Sequence, residues 1–180
     1  MPVVRGKDIE VLFSASAIAR RNLELAKEIA SRDYNDLLVI SVLKGSFIFA
    51  ADLIRAMHDV GLEPEVEFIF ISSYGAGTTS GEVRVLRDID NDVRGRDVLL
   101  IDDILESGKT LAYTRKLMMD RGAKSCAIAV LLDKHMRRQT KLDADYIGFD
   151  CPDHFVVGYG MDVAHAFREL PFVGIVKGDA

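Results

Sequence analysis

Apolar positions follow two rhythms along this chain, and each predicts its own kind of element. Between Ser16 and Ile29, the residues Ile18, Asn22, Leu25, Ala26 and Ile29 fall on one helical face, which predicts an amphipathic helix. LLVISVL, 37–43, reads as a continuous apolar run around Ser41, as expected for a strand buried on both faces. FIFAADLIRAM, 47–57, reads as a helix that ends before Gly61, and EVEFIFISSY, 65–74, as a second strand. EVRVLRDI, 82–89, places Val83 and Val85 in alternation and reaches Ile89 after a slip, the mark of a more exposed strand. VLLID, 98–102, is another buried strand. TLAYTRKLMMD, 110–120, is helical, with Gly122 placed to terminate it, and SCAIAVLLD, 125–133, is a further strand. Strand and helix in this alternation predict an α/β protein, a mostly parallel sheet with helices on both faces. Beyond Lys134 the runs shorten to YIGF, FVVGYG and PFVGIV, read as short strands of a small subdomain over one sheet edge.

A chain of 180 residues fits one domain with a sizeable core. At 49% hydrophobic and 28% charged residues the composition is that of a globular protein. The net charge of −5, without a block of like charges, argues against nucleic-acid and membrane-surface partners. No apolar run reaches membrane-spanning length, and the first sixteen residues lack the apolar segment of a signal peptide. Cys126 and Cys151 form no CxxC pair, so both read as free thiols in a reducing cytoplasm. Four scattered histidines make a zinc site improbable. The stretch SYGAGTTSGEV, 73–83, is a mobile loop by composition: either a solvated hairpin connection or an active-site lid, with Tyr74 at its root favouring the lid.

The chemistry concentrates in VLLIDDILESGKT, 98–110. Its tail resembles half of a P-loop, but the first glycine of that motif falls at Asp103, and a carboxylate there would repel a triphosphate. An anion site remains. The turn Glu106–Ser107–Gly108–Lys109–Thr110 opens a helix, whose free amides and dipole suit a phosphate. Gly108 permits close approach, and Ser107 and Thr110 add hydroxyls. Asp102 and Asp103 suit sugar hydroxyls or Mg²⁺. The ligand implied is a sugar phosphate with a metal. The plainer alternative is a solvated acidic turn followed by an ordinary helix cap.

VLLIDDILESGKTL resembles the phosphoribosyl-pyrophosphate motif of type I phosphoribosyltransferases. VLKGSF (42–47), SSYGAG (72–77), LLDK (131–134), DHFVVGYGMD (153–162) and FREL (167–170) resemble, in order, the other signatures of bacterial hypoxanthine phosphoribosyltransferases. The resemblance implies the type I fold, with a core over about 37–134 and a hood built from the C-terminal segment with the N-terminus, all within one domain, 1–180. It implies transfer of phosphoribose from phosphoribosyl pyrophosphate to a 6-oxopurine, with Mg²⁺, in a cytoplasmic homodimer or homotetramer engaged in purine salvage.

By the same resemblance the 106–110 turn, with Ser107, Gly108, Lys109 and Thr110, holds the 5′-phosphate. Asp102 and Asp103 hold the ribose hydroxyls, directly or through metal. Glu106 is the catalytic proton acceptor. Lys44 and Gly45 form the pyrophosphate loop, where the peptide before the lysine can be cis, and Arg168 reaches the pyrophosphate. Ser73 and Tyr74 belong to the lid. Lys134 donates to the purine O6, Phe155 stacks on the ring, and the Val156 backbone meets the base edge. Asp162 holds a second Mg²⁺. Taken alone, Lys44 and Arg168 read as surface residues and Phe155 as core. Glu106 stands where many relatives carry Asp, and Asp102 where Glu is frequent. Three rivals share these features: a phosphoribosyltransferase for xanthine or a pyrimidine, an RNA-binding regulator of the same fold, and a nucleotide-binding structural protein without turnover, against which stands the intact set of acidic and basic motif residues. The regulator would need a basic face, against which stand 28 acidic and 23 basic residues.

Overall fold

The computed structural model describes residues 1–74 and 82–177. Two N-terminal strands, β1 (Val3–Val4) and β2 (Lys7–Phe13), precede helix α1 (Ala15–Ala30). The chain continues through β3 (Leu38–Leu43), α2 (Phe47–Asp59), β4 (Glu65–Tyr74), β5 (Glu82–Arg87), β6 (Asp97–Leu105), α3 (Lys109–Asp120), β7 (Ser125–Asp133), β8 (Tyr146–Asp150), β9 (Val156–Val157) and β10 (Val173–Val176). Six strands form the central sheet in the order β5-β4-β3-β6-β7-β8, parallel except for β5. The expected helices on both faces are present. Alternation along the buried strands decides which face each side chain joins. Val39, Leu99, Ile101 and Ala129 pack with Leu25, Ile29, Phe49 and Leu53 of α1 and α2. Leu38, Ile40, Leu100 and Ile128 point the other way and pack with Leu111 and Met118 of α3.

Helix boundaries follow local chemistry. Ser14 caps α1, its hydroxyl accepting from the Ala17 amide at 3.2 Å. Gly122, at φ +91°, follows the end of α3 as expected. Ile89 lies beyond β5 but is buried, as its place in the apolar pattern suggests.

One expectation fails. YIGF does not join the small subdomain; as β8 it is the sixth strand of the central sheet, pairing with β7 from Ala129–Tyr146 to Asp133–Asp150. Arg21 of α1 explains its stability at the edge. The guanidinium donates to the carbonyls of Ile147 at 2.7 Å and Gly148 at 2.9 Å, covering backbone that an edge strand leaves open. The small sheet is antiparallel, β1-β2-β10-β9, and closes over Ile9, Val157, Phe167 and Leu170. Its contribution from β1 and β2 has no clear signal in the apolar pattern, because only Ile9 of β2 is fully buried.

Candidate active site

β3 and β6 are neighbours, yet β3 leads to β4 on one side of the sheet and β6 leads to β7 on the other. Such a reversal opens a crevice at the carboxyl ends of the two strands, where open α/β sheets receive ligands. The pairing records the opening. β6 holds β3 only through Ile101 but holds β7 as far as Leu105. The strand therefore runs past the expected end at Asp102 and carries both aspartates into the crevice.

Asp102 and Asp103 are partly buried there. Each carboxylate takes the amide of the residue that follows it, Asp102 from Asp103 at 2.9 Å and Asp103 from Ile104 at 2.8 Å. Burial pushes both carboxyls above the ordinary carboxylate range, Asp102 the further, because the adjacent Asp103 charge adds to the burial. Two crowded acidic groups of this kind, oxygen donors held side by side, fit a hard divalent cation.

The turn after β6 is held from behind. Gly108 takes φ +84°, a left-handed conformation open to glycine, and starts α3. Ser107 Oγ accepts from the Lys109 amide at 3.3 Å. The turn walls a cavity of about 190 Å³ lined by Asp102, Ile104, Glu106, Ser107, Gly108 and Thr110 among others. A second cavity of about 180 Å³ lies alongside, lined by Ile104, Glu106, Lys134, Arg137, Phe155 and Val156. Glu106 and Ile104 line both. Lys134 is only 5% exposed, and its Nζ lies 3.5 Å from Glu106 Oε1. Arg137 Nε is 3.8 Å from the same oxygen and 2.7 Å from Asp153 Oδ1. Phe155 is 67% exposed. An aromatic ring left in solvent at a cavity wall is not core, and its face is free for a flat ligand. Val156 is buried in β9.

Two glycines bring the remaining segments in. A Cβ at Gly45 would stand 2.0 Å from Asp103 Oδ2, and one at Gly160 would stand 2.4 Å from the Gly45 carbonyl oxygen. The loop after β3 and the 158–162 turn thus meet backbone to backbone, and the Asp103 carboxylate at the end of β6 lies against the Gly45 backbone. The Leu43–Lys44 peptide is cis. Asp162 accepts from the His165 amide at 2.7 Å and pairs with Arg168 at 3.1 Å. Arg168 also donates to the Gly160 carbonyl at 2.5 Å, and its charge acts on Asp103. Lys44 is brought near by its backbone, but its ammonium lies 5.3 Å from the centre of the Phe70 ring on β4. Ser73 is exposed at the end of β4. The lid itself falls on 75–81, outside the described residues, as does the side chain of Tyr74.

Sequence reasoning missed four contributors: Ile104, Arg137, Arg138 and Thr140. Arg138 and Thr140 sit behind the turn, in RRQT, which reads as solvated surface. Nothing in that text marks them as partners of residues thirty positions earlier.

Residues 9–164 match the family model described as the phosphoribosyl transferase domain, and the chain belongs to that family. Its relatives narrow the class. It is 43% identical over 172 residues to the hypoxanthine phosphoribosyltransferase of Escherichia coli (strain K12), covering 93% of this chain and 95% of that one. It is 47% identical over 174 residues to the hypoxanthine-guanine phosphoribosyltransferase of Bacillus subtilis (strain 168), covering 94% of each. Among solved structures, a hypoxanthine phosphoribosyltransferase from Staphylococcus aureus superposes with a TM-score of 0.87 at 38% identity, covering 93% of this chain and 91% of that one.

Proposed function

We propose that this protein transfers the 5-phosphoribosyl group of phosphoribosyl pyrophosphate to N9 of hypoxanthine, and of guanine, releasing pyrophosphate and IMP or GMP. The supporting observation is the pair of cavities that share Glu106 and Ile104: one walled by an anion-binding turn, the other by a lysine and an exposed aromatic ring. A sugar phosphate and a flat base would occupy them with the bond being made between the two.

In this reading the bond from C1 of the ribose to pyrophosphate breaks, and the bond from C1 to N9 forms. The base becomes nucleophilic as its ring proton passes from N7 to the Glu106 carboxylate, which borders both cavities. Lys134 donates to O6 and, being buried, accepts no base that offers hydrogens there. Phe155 stacks on the ring and the Val156 backbone meets its edge. The amides and hydroxyls of Ser107, Gly108, Lys109 and Thr110 bind the 5′-phosphate. Asp102 and Asp103 hold the ribose hydroxyls and, with Asp162, are the residues that would hold Mg²⁺. Bound there, the metal would offset the charge leaving with pyrophosphate. The Lys44–Gly45 loop and Arg168 receive that anion. Arg168 exchanges its contact with Asp162 for the pyrophosphate, and Lys44 leaves Phe70 to do so. Ser73 and Tyr74 root a lid that excludes water from the cationic sugar.

We take the whole chain as one catalytic unit, with a core from about residue 37 and a hood from both termini, the core extended through β8. A cytoplasmic homodimer or homotetramer engaged in purine salvage completes the proposal. No helix among the described residues is long and apolar enough to cross a membrane. The test is direct: incubate the protein with phosphoribosyl pyrophosphate, Mg²⁺ and each purine separately, and identify the nucleotide formed. IMP is expected with hypoxanthine and GMP with guanine; the absence of any nucleotide with every base refutes the reading.

A further inference from the structure

An anion-binding turn works only if its amides face the ligand. A trans peptide is planar, with its C=O and N–H pointing in opposite directions. Whatever fixes the carbonyls of 105–107 on one side therefore fixes the amides of 106–108 on the other. Here all three carbonyls are gathered by one short segment. The Leu105 carbonyl accepts from the Lys134 amide at 2.9 Å and from Arg138 Nη2 at 3.5 Å. The Glu106 carbonyl accepts from Arg138 Nε at 3.0 Å. The Ser107 carbonyl accepts from the amides of Gln139 at 2.9 Å and Thr140 at 3.1 Å, and from Thr140 Oγ1 at 2.8 Å. The Ser107 and Gly108 amides have no partner among the described residues.

Arg138 is the centre of this clamp. Its side chain is 14% exposed, and its guanidinium also bonds Asp133 and the Leu142 carbonyl. Asp133 is buried and directly precedes Lys134. Its other oxygen lies 3.3 Å from His135 Nε2. The same fork thus joins the back of the turn to the strand end that carries the buried lysine. Only a planar, multiply donating group can serve a carboxylate and three carbonyls together; an ammonium on a flexible stem cannot match that geometry.

We propose that Arg138, assisted by Thr140, is a positioning residue for phosphate binding: it turns the carbonyls of 105–107 outward and so aims the amides of 106–108 at the 5′-phosphate. This rests on the reading of the 106–110 turn as the 5′-phosphate site. Arg138 touches no reacting atom. Its contribution is the orientation of three successive backbone donors, which make a concave anion nest.

Competitive inhibition by IMP and by inosine, which differ only in the phosphate, isolates that orientation. The variants are Arg138→Lys, which keeps the charge and loses the fork, and Thr140→Val, which removes one donor at nearly constant volume. Loss of an outer partner that orients a ligand-binding group costs roughly ten- to a hundredfold in affinity. The inosine-to-IMP ratio of inhibition constants should fall by about that factor in Arg138→Lys and by a smaller factor in Thr140→Val, with inosine itself little changed. A merely structural brace would lower the folded fraction and leave the ratio where it was, and an unchanged ratio in the variants that fold overturns the proposal. Should Arg138→Lys show no cooperative melt, Thr140→Val decides alone. If the unmodified protein holds IMP no better than inosine, the phosphate assignment of the turn is wrong and this inference falls with it.

Discussion

Gly45→Ala is the smallest change that tests the geometry of the crevice. The added carbon would stand 2.0 Å from Asp103 Oδ2 and 2.9 Å from its Cγ. Ordinary contact begins at 3.4 Å, so loop and carboxylate must separate by about 1.4 Å, the difference between 3.4 and 2.0 Å. Retreat is hard on both sides. Asp103 is tethered by the Ile104 amide at 2.8 Å, and behind Gly45 the Gly160 backbone lies against its carbonyl. Gly45 is not among the residues at positive φ, so alanine adds no backbone strain and the effect is purely one of space. A misplacement of about 1 Å in a positioning group can cost on the order of 10²-fold in rate. That corresponds to about 2.7 kcal/mol at the transition state. The expected result is a loss of about a hundredfold in kcat/KM for IMP formation with a cooperative thermal melt retained. Steady-state kinetics over a range of phosphoribosyl pyrophosphate concentrations reads it. Activity within threefold of the unmodified enzyme would refute the reasoning, since it would mean that Asp103 can be displaced freely.

Four further outcomes are expected. Glu106→Gln should lower kcat by about 10²–10⁴-fold with little change in KM for phosphoribosyl pyrophosphate, while Glu106→Asp keeps substantial activity; a Gln variant with near-normal kcat makes Glu106 a turn residue only. Excess chelator should abolish turnover and added Mg²⁺ restore it, and rates that survive chelation remove the metal from Asp102, Asp103 and Asp162. Adenine should be used about 10⁴–10⁵-fold less efficiently than hypoxanthine, because it offers an amino group to the buried Lys134; kcat/KM within tenfold contradicts the O6 contact. Asp102→Asn should raise the metal-free Tm. A carboxyl whose pKa is raised by folding binds more protons folded than unfolded, so its contribution to stability falls as pH rises from the unfolded toward the folded pKa. The gain should therefore be present at neutral pH and shrink in acid, and a Tm that drops at neutral pH counts against the crowding of the pair.

What the sequence disclosed and what it hid divide along a physical line. LLVISVL and VLLID announce β3 and β6 because strands buried on both faces are apolar along nearly their whole length; the one buried polar residue of β3, Ser41, is satisfied by the Ser46 hydroxyl at 2.9 Å. ESGKT announces the turn into α3 because a glycine is needed where the chain takes the left-handed conformation. By contrast, RRQT gives no sign of its task, since an arginine that clamps carbonyls looks the same in one dimension as an arginine in water. YIGF is too short to show which sheet it joins; that depends on its pairing with β7, and its carbonyls are met by Arg21, more than a hundred residues earlier. The lysine of VLKGSF is recognisable, but that its ammonium would rest against Phe70 depends on β4 lying beside β3.

The early release of β6 from β3 has a consequence for assembly. A strand with a free half normally invites another strand, and proteins guard such borders with charge, bulges or cover. Here the free half lies inside the sheet, between two strands that remain paired lower down, in a cleft that Gly45 already approaches to contact distance. No foreign strand can enter a gap of that shape. The carboxylates of Asp102 and Asp103 also occupy the amides that follow them, so the released stretch caps itself. The protein thereby keeps unpaired backbone inside the crevice without offering a template for aggregation.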